Sequence, residues 1–525
     1  MLIEIVLFCA TVLFSCILYK LYKVDRFHFE KRNLKYRPLS YSLSSLPKFF
    51  ILTAPEAAQR TYTAFPNESI YGIVGISGPA YVVRDPELVK QFTIKDFDYF
   101  EDHSTLVDEH SDKLWGNSLI MLKGKKWRQM RATLSPAFTG TKMRKMYKLV
   151  SECVEEVVKH SKQRNEKLDV EAKDLFTRYT NDVIASCAFG LKINSLIEPN
   201  NEFYLNAKKV SSFNNPIAVA KMLLHLMLPN IARALKIRIV NPTIFKSIIL
   251  DTMEFRQKNN IFRPDMINIM MQVRDGSLKH DTEDAKESPE NFSVVQESDV
   301  GKATVNIAWN DDELVAQCFI FLVAGFETTS NILSLMAYEL VINQDVQQEL
   351  YEEIAEMDKN LNGKPVDYDV LQKLKYFDQV VSEVLRKYPP LAQPDRLCVK
   401  DYAFDDGNNL KFTIKKGSRL FMTTYGIHHD PKYYPNPDKF DPERFNDENK
   451  GSIKSGTYLP FGIGPRNCIG SRFALMEIKA IFYHLLLNYS LEANEKTEIP
   501  LQLKRTPITP CARNGVHLRL KPRIT

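Results

Sequence analysis

Apolar positions follow three unlike patterns along the chain. Leu2 to Tyr19 is almost continuously apolar, with Glu4 the one charge. At about 1.5 Å per residue this run spans roughly 27 Å, near the hydrocarbon thickness of a bilayer. Lys20, Lys23, Arg26, Lys31, Arg32, Lys35 and Arg37 follow. This predicts an uncleaved anchor at 1–20, a basic linker at 21–50, and one domain at 51–525 held on the cytosolic side. A cleaved signal peptide would put positive charge before the apolar run and a small-residue cleavage site after it, and neither is present. Tyr71-Gly-Ile-Val-Gly-Ile and Ala80-Tyr-Val-Val read as short strands joined by Ser77-Gly-Pro, with Asp85-Pro86 opening a helix. Residues 96–117 are polar, aromatic and aperiodic, hence a loop. Helical patterns recur at 124–131, at Asp182 to Gly190, over the long apolar stretch from Asp311 to about Asn343, and at 471–482. Residues 274–310, rich in Asp, Glu, Lys, Ser and Gly, read as an exposed, partly disordered connection. Residues 216–240 mix apolar runs with Lys221, Arg233, Lys236 and Arg238. Two readings stand there: an interfacial amphipathic helix, or a pair of core-facing helices.

Composition narrows the class. With 44% hydrophobic and 26% charged residues, the chain has an ordinary globular core and a solvated surface. A net charge of +6 over 525 residues gives no argument for nucleic acid. Eight scattered cysteines without a CxxC pair fit a reducing compartment. The sequons at Asn67, Asn291 and Asn488 are then chance matches.

The sharpest candidate chemistry lies near the C-terminus, in Tyr458-Leu-Pro-Phe461-Gly-Ile-Gly464-Pro-Arg466-Asn-Cys468-Ile-Gly470. Glycines 462, 464 and 470 allow φ > 0 and leave room for a large planar group against the main chain. A loop opening onto a helix N-terminus aims N–H groups at the sulfur and favours a thiolate. A thiolate so held can be the single protein ligand of a haem iron. A lone cysteine of this kind is more often a packed structural residue; the whole spacing from Phe461 to Gly470 reverses that reading. Upstream, Trp127 and Arg131 share one helix face, where an indole N–H and a guanidinium can hold a carboxylate. Gly325 and the polar Glu327-Thr328-Thr329 interrupt the long apolar helix, at sites able to open the i to i−4 ladder and admit water. Glu383-Val-Leu-Arg386 places opposite charges at i, i+3, an ordinary stabilising pair. Adjacent His428 and His429 point apart, so they read as structural or solvated and not as a metal cluster. Lys125, Lys126, Arg128, Lys142, Arg144 and Lys145 make one region basic; it is a solvated face or a dock for an acidic electron donor.

These motifs, in this order, resemble the cytochrome P450 family, and most of all its insect microsomal members. The resemblance spans nearly the whole chain after the anchor. It implies a mainly α fold with a small β-region and an N-terminal membrane anchor in the endoplasmic reticulum. Cys468 would ligate the iron of haem b beside Phe461. Trp127, Arg131, Arg396 and Arg466 would meet the propionates, with Ala324 and Gly325 letting a flat ligand lie against the backbone. Glu327 and Thr328 would organise a proton relay. Glu383, Arg386 and Arg444 (in Asp441-Pro-Glu-Arg-Phe) would form a buried structural network. Residues 390–394 and the 506–511 turn would line the substrate pocket. The implied reaction inserts one oxygen atom into a lipophilic substrate, a xenobiotic or an endogenous lipophile. Its electrons would come from NADPH through a separate flavoprotein reductase, with cytochrome b5 a further partner and membrane lipid a further contact. Two alternatives remain: a haem-thiolate isomerase or dehydratase, which would not need Glu327-Thr328, and a non-catalytic haem- or lipophile-binding protein. Only Pro38 and Pro47 stand where microsomal members carry a proline-rich hinge.

Overall fold

The computed structural model describes residues 28–38 and 52–523, except 76–77, 105–106, 108, 164–167, 212–219, 223, 226–227, 241–242, 277–291, 296, 304–306, 308, 408–409 and 506–508. The expected anchor, most of the linker and part of each of the 216–240, 274–310 and 506–511 readings lie outside those residues.

Helices dominate. Those that position the site are α1 (Gly124–Leu134), α2 (Gly140–Lys162), α3 (Ala172–Phe189), α4 (Met266–Arg274), α5 (Asp311–Ile342), α6 (Lys375–Lys387) and α7 (Ser471–Asn488). The long helix α5 begins at a capping box. The Asn310 side chain accepts from the Glu313 N–H at 3.0 Å, and the Glu313 carboxylate accepts from the Asn310 N–H at 3.0 Å. Its length and composition would suffice to cross a membrane, but most of it is buried inside the protein. It is the central core helix, apolar nearly all round because protein surrounds it.

The expected hairpin is present: β2 (Ile70–Gly75) pairs antiparallel with β3 (Gly78–Val83). The strand order of the larger sheet is β1-β2-β3-β5-β4, with β1 (Tyr36–Arg37), β4 (Asp395–Leu397) and β5 (Arg419–Met422). Its middle joins β3 to β5 across more than 330 residues (Ala80 pairs with Arg419), which local pattern cannot reveal. The predicted linker is therefore corrected in part. Phe29 is fully buried and packs at 5.5 Å against Tyr36 and Tyr81, while Tyr36 pairs with Gly72. A Cβ at Gly72 would meet the Phe29 ring at 2.6 Å, so that glycine makes room for it.

The connection at 274–310 also departs from expectation. Phe292 stacks in a cluster with Phe445 and Tyr458, at 5.0 and 5.1 Å. Ser293 is buried and hydrogen-bonded to Ser382 and Tyr458. Residues 292–303 are docked on the protein where described, because two small anchors suffice to hold a segment of otherwise polar composition.

Candidate haem-thiolate site

The cysteine loop folds on its own backbone. Cys468 N–H donates to the Phe461 carbonyl at 2.8 Å, and Asn467 N–H to the Gly464 carbonyl at 2.9 Å. Gly462 and Gly464 take φ of 73° and 76°, as expected. Gly470 does not; it sits at φ −92° at the start of α7. Gly464 is required by a close backbone, since a Cβ there would lie 2.0 Å from the Thr93 carbonyl oxygen. Its role is thus to seat the loop against the chain at Thr93.

Cys468 is exposed by surface area, yet burial pushes its thiol above the ordinary range. A side chain both deep and accessible faces an internal space. The Gly470 N–H and the Arg131 cation oppose the burial effect and favour the thiolate, while the Glu297 carboxylate acts against it. Ala324 is likewise exposed, between buried Val323 and buried Phe326 in mid-helix. Two aromatic rings lie between the loop and this helix. A Cβ on Gly470 would lie 3.8 Å from Phe138, which packs edge-on against Phe321 at 5.5 Å. Phe321 is one helical turn before Ala324.

Gly325 needs a correction. A Cβ there would meet Ile184 of α3 at 2.7 Å, so this glycine serves the close crossing of α3 and α5. Ala324, not Gly325, is the exposed small residue of this turn. The helix also runs without a break through this point. The Thr328 hydroxyl donates to the Ala324 carbonyl, and the Glu327 carboxylate is paired with Lys173 at 3.4 Å and lies 3.5 Å from Asn331. Lys173 also donates to Ser330 at 2.6 Å. Asn331 reaches Thr509 of the C-terminal turn at 3.3 Å, which ties that residue to α5. Nothing in the Glu171-Ala-Lys173 sequence announces Lys173 as a partner of Glu327.

The four cationic or aromatic candidates gather around the loop in different ways. Arg466 lies over the Trp127 ring at 3.8 Å, the geometry of a cation–π pair. Its donors are taken by the Glu101 and Leu122 carbonyls and Asp102, at 2.7, 2.9 and 3.2 Å. Arg131 gives both Nη atoms to Asn467, at 2.8 and 2.7 Å, and one of them also to Glu297 at 2.6 Å. The propionate expectation for these two is thereby narrowed: Arg466 ties the loop to the 101–122 segment, and Arg131 braces it from α1. Arg396, in β4, donates through one Nη to the Asp395 carbonyl.

A haem fits these residues. The Nε atoms of Arg131 and Arg396 are buried and find no hydrogen-bond partner among the described residues. Burial holds Arg396 at about 10 and Arg466 at about 9, Arg466 being further depressed by the charge of Arg396. The mutual repulsion of the desolvated Arg396 and Arg466, together with the unmatched Nε donors of Arg131 and Arg396, calls for carboxylates. An accessible thiol on the loop and an accessible small residue in mid-helix add to the match.

Below the loop, the expected structural network is complete and larger than the sequence indicated. Arg386 holds Glu383 through two bonds, at 2.6 and 2.9 Å, with neither residue exposed. Arg444 approaches the same carboxylate at 3.4 Å, and the Asp441 N–H donates to it at 3.0 Å. His428 joins the network to the loop: its Nδ1–H donates to the Arg386 carbonyl, and its Nε2 accepts from the Leu459 N–H at 2.8 Å. Burial first, then His429, holds its pKa well down, which keeps Nε2 an acceptor. The structural reading of the two histidines is correct, but the role of His428 needed the fold. The surface cations are partly neutralised within the chain: Lys126 pairs with Glu109 and Glu313, Arg128 with Asp98 and Glu101, and Arg144 with Asp369.

The sequence model of the family described as Cytochrome P450 matches residues 54–515, most of the chain. The chain belongs to the cytochrome P450 family. Among curated relatives it is 42% identical over 476 residues to probable cytochrome P450 9f2 of Drosophila melanogaster, covering 88% of each chain. It is 41% identical over 487 residues to cytochrome P450 9e2 of Blattella germanica, covering 89% of this chain and 88% of that one. With cytochrome P450 6k1 of Blattella germanica it shares 34% identity over 504 residues, 95% of this chain and 94% of the other. This P450 is accordingly a haem-thiolate monooxygenase that uses haem b. It acts on lipophilic substrates, with electrons from NADPH delivered by a partner reductase.

Proposed function

We propose that Cys468 is the thiolate ligand of this monooxygenase and that Arg131 Nε, Arg396 and Trp127 face the haem carboxylates. The observation that carries this reading is a cysteine both deep and accessible, with the Gly470 N–H on its sulfur and unmatched arginine donors nearby. Bound there, the haem supplies dioxygen activation. The protein's own part is to hold the sulfur ionised, to keep a flat surface at Ala324, and to bring protons. Thr328, on the same stretch of helix as Ala324, is the group that presents a proton. Glu327, held by Lys173, resupplies it from the outer side. Glu383, Arg386 and Arg444 keep the loop in register and take no part in the chemistry.

Placement in the endoplasmic reticulum membrane follows from the expected anchor. Exposed Ile231 and Leu235, among Arg233, Lys236 and Arg238, favour a second lipid contact. The exposed cations Lys125 and Lys145 at the start of α1 and α2 form the part of the basic face left for the reductase, and for cytochrome b5 in the same position. Substrates are apolar xenobiotics or endogenous lipophiles.

The dithionite-reduced protein is expected to give a strongly red-shifted Soret band with carbon monoxide; a band typical of histidine-ligated haem would remove Cys468 from its role. Thr328→Ala is expected to raise NADPH consumption per product by about tenfold while substrate binding holds, since only proton delivery changes. Coupling equal to the wild type would refute the relay.

A further inference from the structure

The brace on the thiolate loop of this chain ends on a residue from outside the motifs that define the site. Arg131 is 3% exposed and its guanidinium grips both oxygens that Asn467 offers, next to Cys468. Among the described residues its one anionic partner is Glu297, at 2.6 Å, from the segment between α4 and α5. Glu297 is itself built in. Its Oε2 accepts from the Ser135 hydroxyl at 3.0 Å and its Oε1 from the Ser298 N–H at 3.0 Å. A Cβ at Gly301 would meet the Glu297 carboxyl carbon at 2.4 Å, so the short helix Asp299–Lys302 has a glycine where the carboxylate needs room. The same segment is pinned upstream: the Phe292 N–H donates to Asp378 at 2.8 Å, and Ser293 bonds to Ser382 and to Tyr458, where the cysteine loop begins. The segment thus touches α1, α6 and the entrance of the loop, with a carboxylate at the arginine that grips Asn467, next to Cys468.

We propose that Glu297 is a positioning residue for the thiolate, fixing Arg131 on Asn467 and offsetting its positive charge beside Cys468. Removing that carboxylate would make the surroundings of the neighbouring iron centre more positive and so stabilise its more negative, reduced state. With Glu297 present, that bias is cancelled and the sulfur keeps its donor strength. The inference rests on the assignment of Cys468 above.

The test is the ferric–ferrous reduction potential of the haem-loaded protein, read with the carbon monoxide band as a check on ligation. Glu297→Gln, nearly isosteric, is expected to shift the potential to more positive values with the red-shifted band retained. Asp299→Asn, on the same segment but fully exposed, is expected to leave it unchanged. E297Q at the wild-type potential, or D299N shifting it equally, would overturn the proposal. If E297Q does not retain haem, Ser135→Ala decides. It keeps both charges but removes one hold on the carboxylate, and a smaller positive shift is expected; no shift would again overturn the proposal. A wild type lacking the red-shifted band would instead refute the Cys468 assignment, so the two failures are distinguishable.

Discussion

Replacing Cys468 by serine is expected to abolish the red-shifted carbon monoxide band and to lower turnover by at least about a thousandfold, on the order of 4 kcal/mol of barrier. Serine is nearly the same size, and the Cys468 N–H would keep its bond to the Phe461 carbonyl. The loop should therefore persist, and the change isolates the sulfur. A thiol ordinarily loses its proton at about 8.5 and is within reach of the Gly470 N–H and Arg131, whereas a hydroxyl is far too basic for the same surroundings to ionise it. Spectra and NADPH-supported product formation would be measured with the partner reductase. A serine variant that retains the band would mean another ligand holds the iron.

The second large effect concerns folding. Glu383→Gln is expected to cost about 3–5 kcal/mol, because it leaves a fully buried Arg386 without its counter-charge. Arg386 also donates to the His428 and Pro437 carbonyls, at 2.8 and 2.7 Å, so it cannot turn away without abandoning two further buried acceptors. The Asp441 N–H and Arg444 would lose the same carboxylate. Against a typical total stability of about 5–15 kcal/mol, such a loss leaves little folded enzyme. The readout is the yield of haem-loaded protein and its rate of thermal inactivation, which suits a large chain better than an equilibrium midpoint. Wild-type inactivation rates in E383Q would show that the network is dispensable. The effect should reach the cysteine loop through His428, which binds Arg386 on one side and Leu459 on the other.

The sequence by itself determined the parts whose chemistry is local. The turn from Phe461 to Cys468 closes through its own backbone, and Glu383 and Arg386 are one helical turn apart. In each case the partners are neighbours in the chain, so spacing alone implies contact. Tertiary structure decided what depends on which face meets which neighbour. Gly325 reads as room for a ligand, but its open side is filled by Ile184 of α3. Arg466 and Arg131 read as equivalent cations, yet one is held by main-chain carbonyls and the other by Asn467 and Glu297. Residues 292–303 read as a solvated connection because their composition is polar, but a few buried hydroxyl and amide bonds and one aromatic ring are enough to dock them. Phe29 lies within a basic run, and only the sheet that receives it makes it core. Composition measures what a segment exposes on average, whereas a fold needs only one or two of its side chains to find a matching site far along the chain.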